Sequence, residues 1–284
     1  MKKLFYAFLA AALSCTHANA QEFREHISRE FNPSKEASST VLAIYNIDGP
    51  VLVEGYAGTK VFVEVDKLIT ADDNEELENG KKEFKLEFEQ TTDTITAYIA
   101  EPHDSRPRSH SHQRDGWDIK YRYHLNFTVK VPFGMNLAVS TVNNGDITVK
   151  DVAGTLRVNN VNGSLYISNA KGITRANTVN GKVEVSYLVT PGGESSYHTI
   201  NGEIRVTYPA NLSADLQFKS LNGGFFTDFP NAEALPGKVT KVQEFGSGAT
   251  VYKLNKISSV RIGEGGTPFK FETINGDIYI KRQS

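Results

Sequence analysis

Three histidines crowd one segment: His103, His110 and His112, with Asp104, Asp115 and Asp118 close by. Imidazoles and carboxylates at short spacing are the donors of zinc, nickel or copper sites. This spacing closes no standard ligand set, and Arg106, Arg108 and Arg114 in the same segment would repel a cation. The stretch from Glu101 to Trp117 therefore reads as a solvated, flexible loop, and no metal or other cofactor is expected. His26, His124 and His198 stand alone in the sequence and read as surface or packed residues.

Arg157 and Arg175 lie eighteen residues apart, with Tyr166 midway between them. If the chain folds back at that period, the two guanidinium groups stack, and a stacked pair is suited to a sulfate, a carboxylate or an acidic sugar. The bland alternative is solvated charge. Tyr166, Tyr279, Phe225 and Phe226 offer rings for glycan stacking, or are ordinary sheet-surface residues. These positions, Arg157, Arg175 and Tyr166 first, form the candidate ligand face. No G-x-S-x-G elbow, phosphate-binding loop or H-E-x-x-H is present, and no catalytic residue is expected.

What would position these residues is a repeat. Gly145, Gly154, Gly163, Gly172 and Gly181 follow one another in steps of nine. Counting each glycine as zero, positions two and four read Ile147/Val149, Leu156/Val158, Leu165/Ile167, Thr174/Ala176 and Val183/Val185. Odd positions one, three and five are polar or aromatic apart from Ile173, so each block carries a short strand with one face buried. Position seven is apolar again, at Val152, Val161, Ala170, Val179 and Leu188. The odd step from four to seven requires a bend. Asn-Gly recurs at Asn144, Asn162, Asn180, Asn201, Asn222 and Asn275.

Asn-Gly between strands is also the signature of an antiparallel hairpin. The bend and the recurrence every two blocks favour stacked coils instead, with asparagines laddered at the corner and glycines at positive φ. The expected fold is all-β: a parallel β-solenoid with coils of about 18–21 residues and an irregular N-terminal β region. On the outer wall, Thr148, Tyr166, Glu184 and Arg205 would stack in one row, and Asp146, Ser164, Lys182 and Glu203 in another. Glu184 would then pair with Arg205, and Lys182 with Glu203, across strands. The residue after each glycine is Asp146, Thr155, Ser164, Ile173 and Lys182. No acid repeats there, as coil-bound calcium would need.

Residues 1–20 read as a signal peptide. Lys2 and Lys3 precede a short apolar run, and Ala18-Asn19-Ala20 is a small-x-small cleavage site. Residues 21–134 form the N-terminal β region with its loop at 101–117, and residues 135–284 the regular coils, interrupted at 231–266. The long runs Phe84–Phe88, Ile95–Ile99 and Tyr121–Val131 suggest a separate sheet. An acidic stretch from Ala71 to Gly80 reads as a short helix or loop. The final strand, Gly276 to Lys281, has the charged finish of a capping strand.

The run Val131-Pro132-Phe133-Gly134, followed by Ser140-Thr141-Val142-Asn143-Asn144-Gly145-Asp146-Ile147, resembles the start of the repeat region in a family of bacterial adhesin-type β-solenoids related to autotransporter adhesin head-like domains. Gly265-Gly266-Thr267-Pro268 and Glu272-Thr273-Ile274-Asn275-Gly276-Asp277-Ile278 resemble that family's last coil. The resemblance spans residues 40–284 and implies fold and adhesion, not an activity. The Arg/His-rich loop and the second asparagine at Asn143-Asn144 depart from it.

Loss of residues 1–20 leaves 29 basic residues against 33 acidic, a net charge near −4. That is no footprint for nucleic acid. Cys15 is the single cysteine. It fits a lipobox only in part, because leucine is missing at the third position before it, so cleavage after Ala20 is expected to leave no thiol. No transmembrane segment is expected. The protein is expected to be exported to the periplasm, the outer membrane or the outside of the cell. There it would act as a non-catalytic adhesin, recognition or scaffold module toward a surface polysaccharide or an envelope protein. A homodimer through its end coils is open. The alternatives are an envelope signalling accessory and a carbohydrate-active β-helix enzyme.

Overall fold

A computed structural model describes residues 21–107, 119–236, 239–243, 250–254 and 258–284. The expected signal peptide, and His110, His112, Asp115 and Asp118, lie outside the described residues.

The period-two alternation produces short strands whose even positions are buried and odd positions outward, as in Leu165–Ala170 and Ile204–Tyr208. These strands fill two large, mostly parallel sheets. The first has ten strands, in spatial order Gln21–Phe31, Val61–Ala71, Tyr121–Pro132, Val51–Tyr56, Ile147–Lys150, Leu165–Ala170, Val183–Tyr187, Ile204–Tyr208, Ile278–Arg282 and Phe225–Thr227. The second has eleven: Ala232–Leu235, Ser258–Ile262, Ala214–Asn222, Pro268–Asn275, Ser195–His198, Thr174–Asn177, Leu156–Asn159, Asn136–Ser140, Val41–Tyr45, Thr94–Glu101 and Lys85–Gln90. The chain passes from the second sheet through an Asn-Gly corner into the first sheet, then returns. Successive visits stack in parallel register: Leu165 lies against Ile147 and Val183, and Leu156 against Leu137 and Thr174. The Asn-Gly pairs are therefore corners between sheets and not hairpin turns.

Two corner types explain the odd step. At one corner Asp151 and Asn169 adopt φ of 58° and 57°, bending the strand so that Val152 and Ala170 stay buried. At the Asn-Gly corner it is position six that turns inward instead. There Thr178 and Thr199 donate to the carbonyls of Gly163 and Gly181, and the Asn160 amide to that of Gly145. Position seven is left half-buried.

The expected positive φ is found at the corner glycines Gly49 and Gly276, but Gly145, Gly163, Gly181, Gly202 and Gly223 are needed for another reason. A Cβ on Gly181 would lie 2.1 Å from the carbonyl oxygen of Gly163 in the neighbouring coil. Close stacking, not torsional freedom, excludes a side chain there. The left-handed non-glycine residue at this corner is Asn144, at φ 55°. It is the extra residue of Asn143-Asn144, so Asn143, not Asn144, takes the ladder position.

Three further expectations change. The long N-terminal strands form no separate sheet; they extend the same two sheets, with Val41–Tyr45 and Val51–Tyr56 making a coil of the regular stack. The C-terminal strand is not the cap. Pro268–Asn275 and Ile278–Arg282 are inserted between the coil at Ser195–Tyr208 and the coil at Ala214–Thr227. The core, finally, is aliphatic only in part. Toward that end Tyr187, Tyr197, Tyr208, Phe269 and Phe271 fill it, with the Tyr197 hydroxyl 2.8 Å from that of Tyr187 and 3.1 Å from that of Tyr208. Burial drives the Tyr197 and Tyr208 hydroxyls well above their ordinary pKa.

The acidic stretch forms the helix Asn74–Glu83, capped by Asp73 accepting from the Glu76 amide. Among the described residues no helix is long and apolar enough to cross a membrane. The free edge at Gln21–Phe31 carries Glu22, Arg24, Glu25, Arg29 and Glu30, a charged edge of the kind that resists strand addition. It therefore lends no support to end-to-end dimerisation.

Candidate functional site

The parallel register settles where each candidate sits. Arg157 and Arg175 are direct cross-strand neighbours on the outer surface of the second sheet, flanked by Ala138 and Ser196. Both are exposed. Neither has an ion-pair or hydrogen-bond partner among the described residues, whereas Arg205 and Arg261 are held by Glu203 and Asp215. Beside them Asn177 donates to Asn159 at 3.0 Å, and the next residue in that row is His198. Like charges directly opposite each other in a sheet are destabilising, so this wall keeps an uncompensated cationic pair.

Tyr166 does not share that face. It lies on the outer surface of the first sheet, in the expected row with Thr148, Glu184 and Arg205. The charges there pair along strands rather than across them: Lys182 with Glu184 at 2.6 Å, and Arg205 with Glu203 at 2.7 Å. The rings are engaged too. Lys182 sits 5.0 Å over Tyr166, and Arg205 5.2 Å over Tyr279. Tyr279 also stacks on Phe226 with centroids 5.0 Å apart, and Phe225 on Phe218 at 3.7 Å. Aromatic faces sandwiched this way are poor platforms for sugar rings.

His103 is exposed. Its neighbours are structural: Arg106 grips Asp104 at 2.8 Å and lies 3.9 Å over the Tyr98 ring, and Ser105 donates to the Tyr45 carbonyl.

Two histidines that looked isolated are not. His26 bridges strands, with Nδ1 2.7 Å from Asp66 and Nε2 2.9 Å from Glu64. The hydrogen bond to Asp66, and then that to Glu64, raises its pKa. His124 Nδ1 lies 2.5 Å from Asp48, which also accepts from the Asn144 amide at 2.6 Å. Both histidines line a depression of about 340 Å³ with Arg24, Asp66 and Asn126. His124 is shared with a second depression of about 310 Å³, where Ile47, Asp48, Leu68, Ile119 and Asn144 converge. The partners are 40 and 76 residues apart. No local spacing signals them; only the antiparallel register of Gln21–Phe31 with Val61–Ala71, and the parallel register of Val51–Tyr56 with Tyr121–Pro132, bring them together.

No family model matches the sequence, and no curated protein matches it. Among solved structures it is similar to a protein described as a candidate cell adhesion protein from Clostridium sporogenes, at 10% identity and TM-score 0.39, over 92% of this chain and 100% of that one. It is also similar to a candidate adhesin from Bacteroides fragilis, at 11% identity and TM-score 0.37, over 91% and 97%. A third is a candidate lipid binding protein from Parabacteroides distasonis, at 11% and 0.25, over 91% and 97%. At these values the likenesses establish no family and carry no functional argument.

Proposed function

We propose that this chain is an exported, non-catalytic recognition module built as a β-solenoid. It binds an extended anionic polymer of the cell surface, one bearing carboxylate or sulfate groups, across the wall that carries Arg157 and Arg175. The observation that carries this reading is the in-register guanidinium pair left without a carboxylate. Guanidinium forks suit planar, bidentate anions, and two forks one strand spacing apart suit repeated anions on a chain. The neighbouring amides and hydroxyls of Asn159, Asn177 and Ser196 supply uncharged hydrogen bonds beside them. A catalytic reading has less support, because the acids lining the depressions, Glu25, Asp48 and Asp66, are each paired, with Lys67, His124 and His26.

The test is binding of polygalacturonate and dextran sulfate, with neutral dextran as the control. Replacing Arg157 and Arg175 by Ala should weaken binding at least tenfold, while Lys150→Ala with Lys171→Ala should change it little. Affinity should fall as salt rises. Unchanged affinity in the arginine variant, or no binding of either anionic polymer, overturns the proposal.

A further inference from the structure

The Asn-Gly corner carries two rows of side chains that no role above absorbs. Position seven stacks as Ile47, Val142, Val161, Val179, Ile200, Ile274 and Leu221, in spatial order along the coils. All are aliphatic and none is fully buried; Ile274 is 38% and Leu221 67% exposed. Five are partly buried against the corner, yet the row stays an unbroken aliphatic ridge at the surface, the kind of patch that marks a contact site.

Beside this ridge runs an amide ladder. Asn222 donates to Asn275, Asn275 to Asn201, Asn201 to Asn180, Asn180 to Asn162 and Asn162 to Asn143, each at 2.7–2.8 Å. Every link points the same way. Each inner asparagine spends one N–H and one oxygen lone pair on the ladder, leaving a second N–H and a second lone pair for an outside partner. The adjoining glycines add no side chain. From Asn143 to Asn222 the ridge and ladder hold no charged residue, in contrast to both sheet walls.

The track does not end blindly. Ile47 and Asp48, at its first rung, and Asn144 beside it also line the 310 Å³ depression against Leu68, Thr70, Ile119 and His124. The longer strands Val61–Ala71 and Tyr121–Pro132 run past the corner and form the far wall of that depression.

We propose that this corner is a binding track for a linear, neutral polysaccharide, with its terminal sugar in the depression. Ring C–H faces would lie on the aliphatic ridge and hydroxyls would bond the free amide valences, the pairing of apolar surface with a few placed polar groups that ligand sites use. A second copy of the chain fits less well. Six strand spacings give a track about 29 Å long, and at about 10 Å wide it offers about 300 Å², against the roughly 800 Å² per partner of a stable interface. An anionic polymer finds no cation along the ridge and ladder, and Arg122, in the depression at their end, is paired with Asp72. The track is thus chemically separate from the arginine wall.

Titration of the mature protein with neutral β-linked gluco- and manno-oligosaccharides of two to six units tests this. Affinity should rise at least tenfold with length and be insensitive to salt. Val161→Arg with Val179→Arg, in the middle of the track, should weaken hexasaccharide binding at least tenfold. Leu221→Arg with Ile274→Arg, at the two exposed positions of the ridge, should leave six units binding no better than four. Arg157→Ala with Arg175→Ala should change nothing here, which separates a failure of the track from a failure of the wall. Absent binding, affinity independent of length, binding unaffected by all four aliphatic substitutions, or concentration-dependent dimerisation abolished by Val179→Arg would each overturn the proposal.

Discussion

Gly181→Ala tests the stacking that sets the whole architecture. The added methyl would lie 2.1 Å from the Gly163 oxygen, 2.5 Å from the Gly163 carbonyl carbon and 2.9 Å from the Ser164 nitrogen. All three are backbone atoms, so no side chain can swing aside. To reach a contact of 3.0 Å or more, the two coils must part locally by about 1 Å, well beyond the slack of a packed interior. Among the hydrogen bonds that cross that gap are three of 2.8 Å: Asn180 N–H to the Val161 carbonyl, the Thr178 hydroxyl to the Gly163 carbonyl, and Asn180 Nδ2 to Asn162. An opening of that size breaks them. At about 1 kcal/mol each the loss is about 3 kcal/mol. Alanine returns about 0.4–1 kcal/mol by restricting the unfolded chain, so the net destabilisation is about 2 kcal/mol. Gly192→Ala is the matched control. Nothing lies within 4 Å of its added Cβ, so only the unfolded-state gain remains and the variant should be neutral or slightly more stable. Urea denaturation followed by circular dichroism measures both. Equal midpoints for the two variants would refute close stacking as the reason for the corner glycines.

Two further outcomes follow from the core and the free edge. Tyr197→Phe removes the middle hydroxyl of the buried tyrosine chain and should cost about 1–3 kcal/mol, the penalty for a buried polar group that loses its partner; a urea midpoint equal to wild type would show that the chain contributes nothing. His26 has a pKa raised by Asp66 and Glu64. Its tie between edge strands is therefore complete below about pH 6.5 and fades as pH climbs through the higher folded value. Its NMR titration midpoint should exceed 6.5, and amide protection in Gln21–Phe31 should weaken above that midpoint. A midpoint at or below 6.5 contradicts the bridge.

Much of the fold was legible because its signals are local and repeated. Strand positions, the buried even positions and the Asn-Gly corners all follow from a nine-residue period, and that period also placed Arg157 beside Arg175. Asn160, Thr178 and Thr199 were harder to see: they are polar by type, yet turn inward because a carbonyl in the next coil needs a donor. Asn143-Asn144 was ambiguous for a similar reason, since either asparagine fits the ladder and only the backbone torsion of Asn144 decides between them.

The spacing of glycines and aliphatic residues by itself determined a stack of short half-buried strands, since a period of nine with alternation allows little else. Tertiary structure alone decided that the last coil slips between two earlier ones and that His124 meets Asp48. Each depends on which strands become neighbours across long chain separations. That choice is made by the packing of whole sheets and leaves no trace in the few residues on either side of any one position.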